Sequence, residues 1–179
     1  MRKKFISDRL NFVKRMRILE KRDLKRGLRL NRNERVEDFP KGILQKIFKS
    51  IPKYHLGKYP DHSEIYKYLS KYLNLKKENI LLSSGIDGSL KTIFETMLKP
   101  RDKISFLDPS YAMYAVFSKI YKVNALRIKY NENFKLDKKK LYDTIKKGSK
   151  ILFIPNPNQP IEDSLNINDL KKICNFCQL

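Results

Sequence analysis

The chain has 179 residues, 41% of them hydrophobic, which is enough for one domain with a full core and is compatible with part of a larger one. With 40 Lys and Arg against 19 Asp and Glu its formal charge is +21, a balance that ordinarily suggests nucleic acid or an anionic membrane as partner. The lysines, however, are spread along the whole chain among Ile, Asn and Tyr rather than gathered in a patch, so nucleic acid is not the expected partner. No apolar run is long enough to span a bilayer, and Met1-Arg2-Lys3-Lys4-Phe5 leads into no signal-peptide core, so a soluble, cytoplasmic protein without a membrane partner is expected.

Residues 1 to 30 carry twelve Lys or Arg, with Phe5, Leu10, Phe12, Val13, Met16 and Leu19 at roughly helical spacing. This predicts a basic amphipathic arm, packed on the body with its charged face in water or touching a membrane surface or an acidic partner. Leu28 to Glu34 reads as a short extended stretch, and Pro40 marks the start of a helix from about Lys41 to Phe48. Tyr59-Pro60-Asp61 is a turn, after which Ser63 and Glu64 begin a helix with Ile65, Tyr68, Leu69 and Leu73 on one face. Asn79 to Leu82 predicts a strand that breaks at Ser83-Ser84-Gly85-Ile86-Asp87-Gly88 and re-enters as a helix from Ser89 to Leu98. Beyond it the pattern predicts a strand at Lys103 to Leu107, a helix at Tyr111 to Tyr121, a strand at Val123 to Lys129, a helix at Leu141 to Lys147 and a strand at Ile151 to Ile154. A last helix, Asn168 to Phe176, is closed by Cys174 and Cys177; one such pair cannot complete a zinc site, and His55 and His62 lack the spacing of ligands, so no metal is expected.

Strands alternating with helices imply a mostly parallel sheet covered on both faces, with ligands at the carboxyl ends of the strands. The break at 83 to 88 suits such a ligand. Gly85 and Gly88 permit a tight turn and a close approach, and the free amides opening the following helix point outward with the positive end of its dipole, which makes a cup for a phosphate.

Five segments follow one another in a telling order: Leu30-Asn31-Arg32-Asn33-Glu34, Tyr59-Pro60-Asp61, Ser84-Gly85-Ile86-Asp87-Gly88, Asp108-Pro109-Ser110-Tyr111-Ala112-Met113-Tyr114 and Asn156-Pro157-Asn158-Gln159-Pro160. Over roughly residues 28 to 172 they resemble the N-terminal half of a class I/II pyridoxal-phosphate aminotransferase, nearest the histidinol-phosphate aminotransferase branch. The resemblance implies an α/β fold, an incomplete and mostly parallel sheet with helices on both faces like the large domain of the fold-type I transferases. It divides the chain into the arm at 1–30, an opening segment with part of the small domain at 31–55, and the N-terminal part of the large domain at 56–179.

It also implies pyridoxal 5'-phosphate as cofactor, an amino donor and a keto acceptor as small-molecule partners, and a homodimer for the complete enzyme. Backbone amides of Gly85, Ile86 and Asp87 would hold the cofactor phosphate, Tyr111 would stack on the pyridine ring, and Asn158 or Gln159 would reach the ring hydroxyl. Tyr59 would cross to the neighbouring subunit's cofactor phosphate. Ile161-Glu162 departs from the family's Thr-Gly, losing a small turn residue and bringing a carboxylate toward an anionic site. The Schiff-base lysine is expected beyond Leu179, because Lys71, Lys119 and Lys150 each follow a Ser but none stands in the family's context. The chain alone, a truncated or partial form, is therefore expected not to transaminate. Two other readings are a basic nucleic-acid- or surface-binding protein on an α/β scaffold and a non-catalytic partner of a full-length relative.

Overall fold

Alternation along one strand sets the two faces of the sheet. In Lys103–Asp108 (β1), Ile104 and Phe106 turn to one side while Ser105 and Leu107 turn to the other, and all four are buried, as a central parallel strand requires. The computed structural model describes Arg35 and residues 37–177; the expected arm at 1–30 and the stretch Leu28 to Glu34 lie outside the described residues. These form two compact units, one before and one after the Leu81–Leu82 junction.

The second unit is an α/β layer. Gly85–Met97 (α3), β1, Met113–Ile120 (α4), Asn124–Lys129 (β2), Lys138–Ile145 (α5), Ile151–Phe153 (β3) and Ile167–Cys177 (α6) alternate along the chain. The three strands pair in the order β2-β1-β3, both pairings parallel, with Phe106 opposite Arg127 on one side and Phe153 on the other. Leu90 and Phe94 of α3 and Tyr114 and Phe117 of α4 pack with Ile104, Phe106 and Phe153 on one face. Leu141 of α5 and Ile173 of α6 pack with Leu107 and Ile128 on the other. Both faces are thus covered by helices, and Cys174 and Cys177 sit exposed at the end of α6.

The first unit contains Ile43–Ser50 (α1) and Ser63–Leu73 (α2), close to the predicted spans. The Asp61 carboxylate accepts from the Ser63 amide at 2.9 Å just ahead of α2, and Asn74 ends the helix in the left-handed region at φ 52°, the usual device for a helix stop. Ile43, Leu44, Ile47 and Phe48 of α1 and Ile65, Tyr68 and Tyr72 of α2 are all exposed.

Several elements differ from the pattern in the sequence. The expected strand at 79 to 82 is absent from the sheet: Lys77–Asn79 turn as a 3-10 segment and Ile80 is merely extended. Apolar alternation reports burial, but a strand also needs a ladder partner. Conversely, α3 begins at Gly85 rather than Ser89, so the cup is its first turn; Gly85 takes φ 72° at the opening, and a Cβ on Gly88 would lie 3.4 Å from that of Ser84. The start of α5 is likewise earlier, because Asp137 accepts from the Lys140 amide and caps it at Lys138.

Phe94 is fully buried, stacked on Phe153 with ring centroids 5.7 Å apart and tilted against Phe117 and Tyr121 at 5.6 Å. Phe94→Ala is expected to lower stability by about 3–5 kcal/mol in urea denaturation, while Lys91→Ala on the exposed side of α3 stays within about 0.5 kcal/mol. A second expectation concerns acid. The Lys99 amide at 2.8 Å and the Lys150 ammonium at 2.9 Å hold the Asp102 carboxyl below its ordinary value of 3.8. A folded value below the unfolded one means that this contribution is fully present above the ordinary value and is lost as pH falls through the depressed one. Thermal stability measured downward from about pH 5 should therefore fall less steeply for Asp102→Asn than for the parent chain.

Candidate functional site

Because the strands are parallel, their carboxyl ends share one edge of the sheet. Asp108 closes β1 there, Tyr130 follows β2, and the loop 155–160 follows β3. The opening of α3 reaches the same residues through one hydrogen bond: the Tyr111 hydroxyl donates to Asp87 Oδ1 at 2.7 Å.

The α3 opening is shaped by its serines. The Gly85 amide donates to the Ser83 carbonyl at 2.8 Å, Ser83 Oγ donates to the Gly85 carbonyl at 3.0 Å, and Ser83 and Ser89 share a hydroxyl contact of 2.5 Å. Ser84, at the cap position, makes no side-chain capping bond. Among the described residues no side chain is bonded to the first-turn amides of Ile86 and Asp87, which lie at the positive end of a thirteen-residue helix. Ile86 itself is exposed and Asp87 half-buried.

Tyr111 is half-buried and meets Tyr114 edge-on at 6.1 Å. It lines a recess of about 240 Å³ with Phe106, Asp108, Pro109, Ala112 and Arg127. Arg127 reaches across from β2, 3.5 Å from Asp108 Oδ2 and 5.9 Å over the Phe106 ring, so the recess has apolar walls and a mutually neutralised charge pair at its rim.

Asn158 is fully buried and every polar atom of its amide is engaged: Oδ1 accepts from Ser110 Oγ at 2.7 Å, and Nδ2 donates to the Pro109 carbonyl and to the Tyr130 hydroxyl, both at 3.0 Å. Its backbone closes the loop by donating to the Asp163 carbonyl at 2.9 Å and accepting from the Glu162 amide at 2.7 Å. Gln159 is exposed. Burial pushes the Tyr130 hydroxyl above its ordinary value, opposed by the Asn158 bond and reinforced by the Asp163 carboxylate, so it stays protonated.

The structure therefore brings the cup, Tyr111 and Asn158 into one contiguous edge. Tyr59 lies in the other unit and is fully exposed. Lys150 sits at the amino end of β3, paired with Asp102, Lys119 lies in the last turn of α4, and Lys71 in α2. Tyr130 and Ser110, which bond the Asn158 amide at this edge, are candidates that sequence reasoning missed. The available signal was the tyrosine directly after β2, an aromatic residue at a strand end like the ones that drew attention to Tyr111.

Comparison with known proteins places these features. The family model for aminotransferase class I and II matches residues 28–179. Histidinol-phosphate aminotransferases are among the relatives: that of Clostridium kluyveri is 29% identical over 153 residues, 84% of this chain and 44% of its own length, and that of Clostridium botulinum is 32% identical over 151 residues, 83% of this chain and 41% of its own. The chain thus spans well under half the length of these curated relatives. Among solved structures, the histidinol-phosphate aminotransferase of Sinorhizobium meliloti in complex with pyridoxal-5'-phosphate is similar at a TM-score of 0.63 and 18% identity, covering 78% of this chain and 37% of its own. A Thermus thermophilus aspartate aminotransferase mutant is similar at 0.75 and 17%, covering 98% of this chain and 48% of its own. At those identities the likeness is one of fold.

Replacing Asn158 with leucine, close to it in volume, would leave the Ser110 hydroxyl, the Pro109 carbonyl and the Tyr130 hydroxyl without their shared partner. A loss of about 2–4 kcal/mol in urea denaturation is expected, since each buried polar group left unpaired costs roughly 1–3 kcal/mol and these three are only part-buried.

Proposed function

The chain belongs to the class I and II aminotransferase family, and from that premise we propose that it carries the phosphate-side and ring-side residues of a pyridoxal-phosphate-dependent aminotransferase of the histidinol-phosphate aminotransferase kind, one that moves an amino group between an amino donor and a keto acceptor. The observation that carries this reading is the Tyr111–Asp87 hydrogen bond of 2.7 Å, which sets an aromatic ring beside the opening of α3.

The residues present fit the cofactor. Backbone amides of Ile86 and Asp87, with Gly85 turning the chain at φ 72°, would hold its phosphate, as helix openings hold phosphates generally. Gly85's own amide is shared with the Ser83 carbonyl, so in this reading the glycine serves chiefly as the turn. Tyr111, anchored through its hydroxyl, would offer its ring to the pyridine. Because the Asn158 amide is consumed internally, the contact to the ring hydroxyl falls to Gln159, which is exposed beside it. When bound, pyridoxal phosphate supplies the electron sink for amino-group transfer. What the chain's residues contribute is binding and orientation, with Tyr111 fixing the plane of the ring and the α3 dipole neutralising the phosphate.

Assembly as a homodimer belongs to the same reading. The exposed apolar side chains of α1 and α2 and the fully exposed Tyr59 suit a surface that a second chain covers, with Tyr59 reaching the partner's cofactor phosphate.

Ile86→Pro tests the cup. Proline is tolerated in a first helical turn, where no intrahelical bond is lost, yet it removes one amide from the phosphate. In equilibrium dialysis the parent chain should take up pyridoxal phosphate saturably, and Ile86→Pro should bind it about 10- to 100-fold more weakly, the value of one hydrogen bond to a charged group. Equal affinity for the two proteins would sink the reading.

A further inference from the structure

The Asn158 amide joins three segments that are remote in sequence. Its partners are Ser110 and Pro109 after β1 and Tyr130 after β2, and Asn158 itself follows β3. We propose that Asn158, with Tyr130 and Ser110, is a positioning clamp that locks the loops bearing Tyr111 and Gln159 into one rigid ring-side wall. This rests on the pyridoxal-phosphate reading of that edge.

Both N–H groups and the carbonyl of the amide are used, and the residue has no exposure to water. No solvent molecule can replace a lost partner without opening the wall, so the three strand ends shift together or not at all. The loop cannot yield independently either. Asn158 is fastened to Asp163 and Glu162 through its backbone, and Asn156 brackets Leu165 by accepting from its amide at 2.8 Å and donating to its carbonyl at 3.1 Å. The α3 opening is held differently, by the Ser83 contacts with Gly85 and Ser89, and takes no bond from the clamp. Among the described residues it is linked to the wall by the Tyr111–Asp87 bond. The clamp therefore governs the ring side of the site and leaves the phosphate side alone.

Hydrogen exchange and ligand binding on the full chain separate these parts. Tyr130→Phe should raise amide exchange about tenfold in both 108–112 and 157–163, although the substitution lies in neither, with 83–89 unchanged. Ser110→Ala should act the same way and Ser110→Thr, which keeps the hydroxyl, should restore parental exchange. Affinity for pyridoxal phosphate should fall about tenfold in Tyr130→Phe and Ser110→Ala while affinity for inorganic phosphate holds. A rise confined to the substituted segment, identical behaviour of the alanine and threonine variants, or an equal loss for both ligands would overturn the clamp. If Tyr130→Phe exchanges faster everywhere, the Ser110 pair decides. A parent chain that binds no pyridoxal phosphate refutes the functional reading, and the exchange pattern still judges the clamp.

Discussion

One buried carboxamide ties together the loops at the carboxyl edge of the sheet. Parallel strands bring their carboxyl ends to the same side, but nothing in the ladder itself fixes the loops that leave them. In a low-dielectric setting an amide with all its groups paired is rigid, and one with any group unpaired is costly. Asn158 is in the first condition, at no exposure, and the loops inherit its rigidity. The strand order matters here: β1 lies between β2 and β3, so the Pro109 and Ser110 contacts come from the middle strand and the amide can reach both flanks from a single position.

The charge distribution separates stability from function. A net +21 favours solubility and opposes compaction, yet the described acidic groups with depressed pKa values, Asp61, Glu95, Asp102, Asp137 and Asp169, each lean on a hydroxyl, a backbone amide or a nearby Lys at the surface. Such exposed contacts are weak individually. The wall of the candidate site has another balance, with Asp87 bonded to Tyr111 and Asp108 facing Arg127. Among the described residues backbone and serine groups make the contacts at the α3 opening, and helix dipoles act directionally where flexible ammonium groups do not.

Most of the fold was legible because its signals were redundant. For β1 the apolar run, its length and the Asp108-Pro109 stop agree, and the strand falls at Lys103–Asp108; for α2 the Ser63 start and the apolar face of Ile65 and Leu69 agree, and the helix falls at Ser63–Leu73. Where one signal stood alone it misled. Asn79 to Leu82 had apolar character but forms no strand of the described sheet, and the small residues at 85 to 88 looked like a loop but open a helix. Phosphate cups are read from glycines, and the glycines here serve the first turn. The strand ends were legible as a set, but no sequence pattern tells whether an amide faces a ligand or its own backbone, and the Asn158 amide, expected beside a ring hydroxyl, is bonded to Ser110, Pro109 and Tyr130. Tyr130 and Ser110 escaped because their place is relational: each meets an amide at least 28 positions away.

The loop after β3 shows how the chain accommodates its departure at Glu162. That residue adopts φ 59°, where a side chain costs roughly 1–2 kcal/mol and glycine costs nothing sterically. The conformation persists because the amide of the same residue donates to the Asn158 carbonyl at 2.7 Å, while Asn156 grips Leu165 beyond it. Two or three such bonds at about 1 kcal/mol each offset the penalty. The turn is therefore imposed by the bonds around it rather than by the residue at its apex, and the buried amide at its base determines what shape the loop takes.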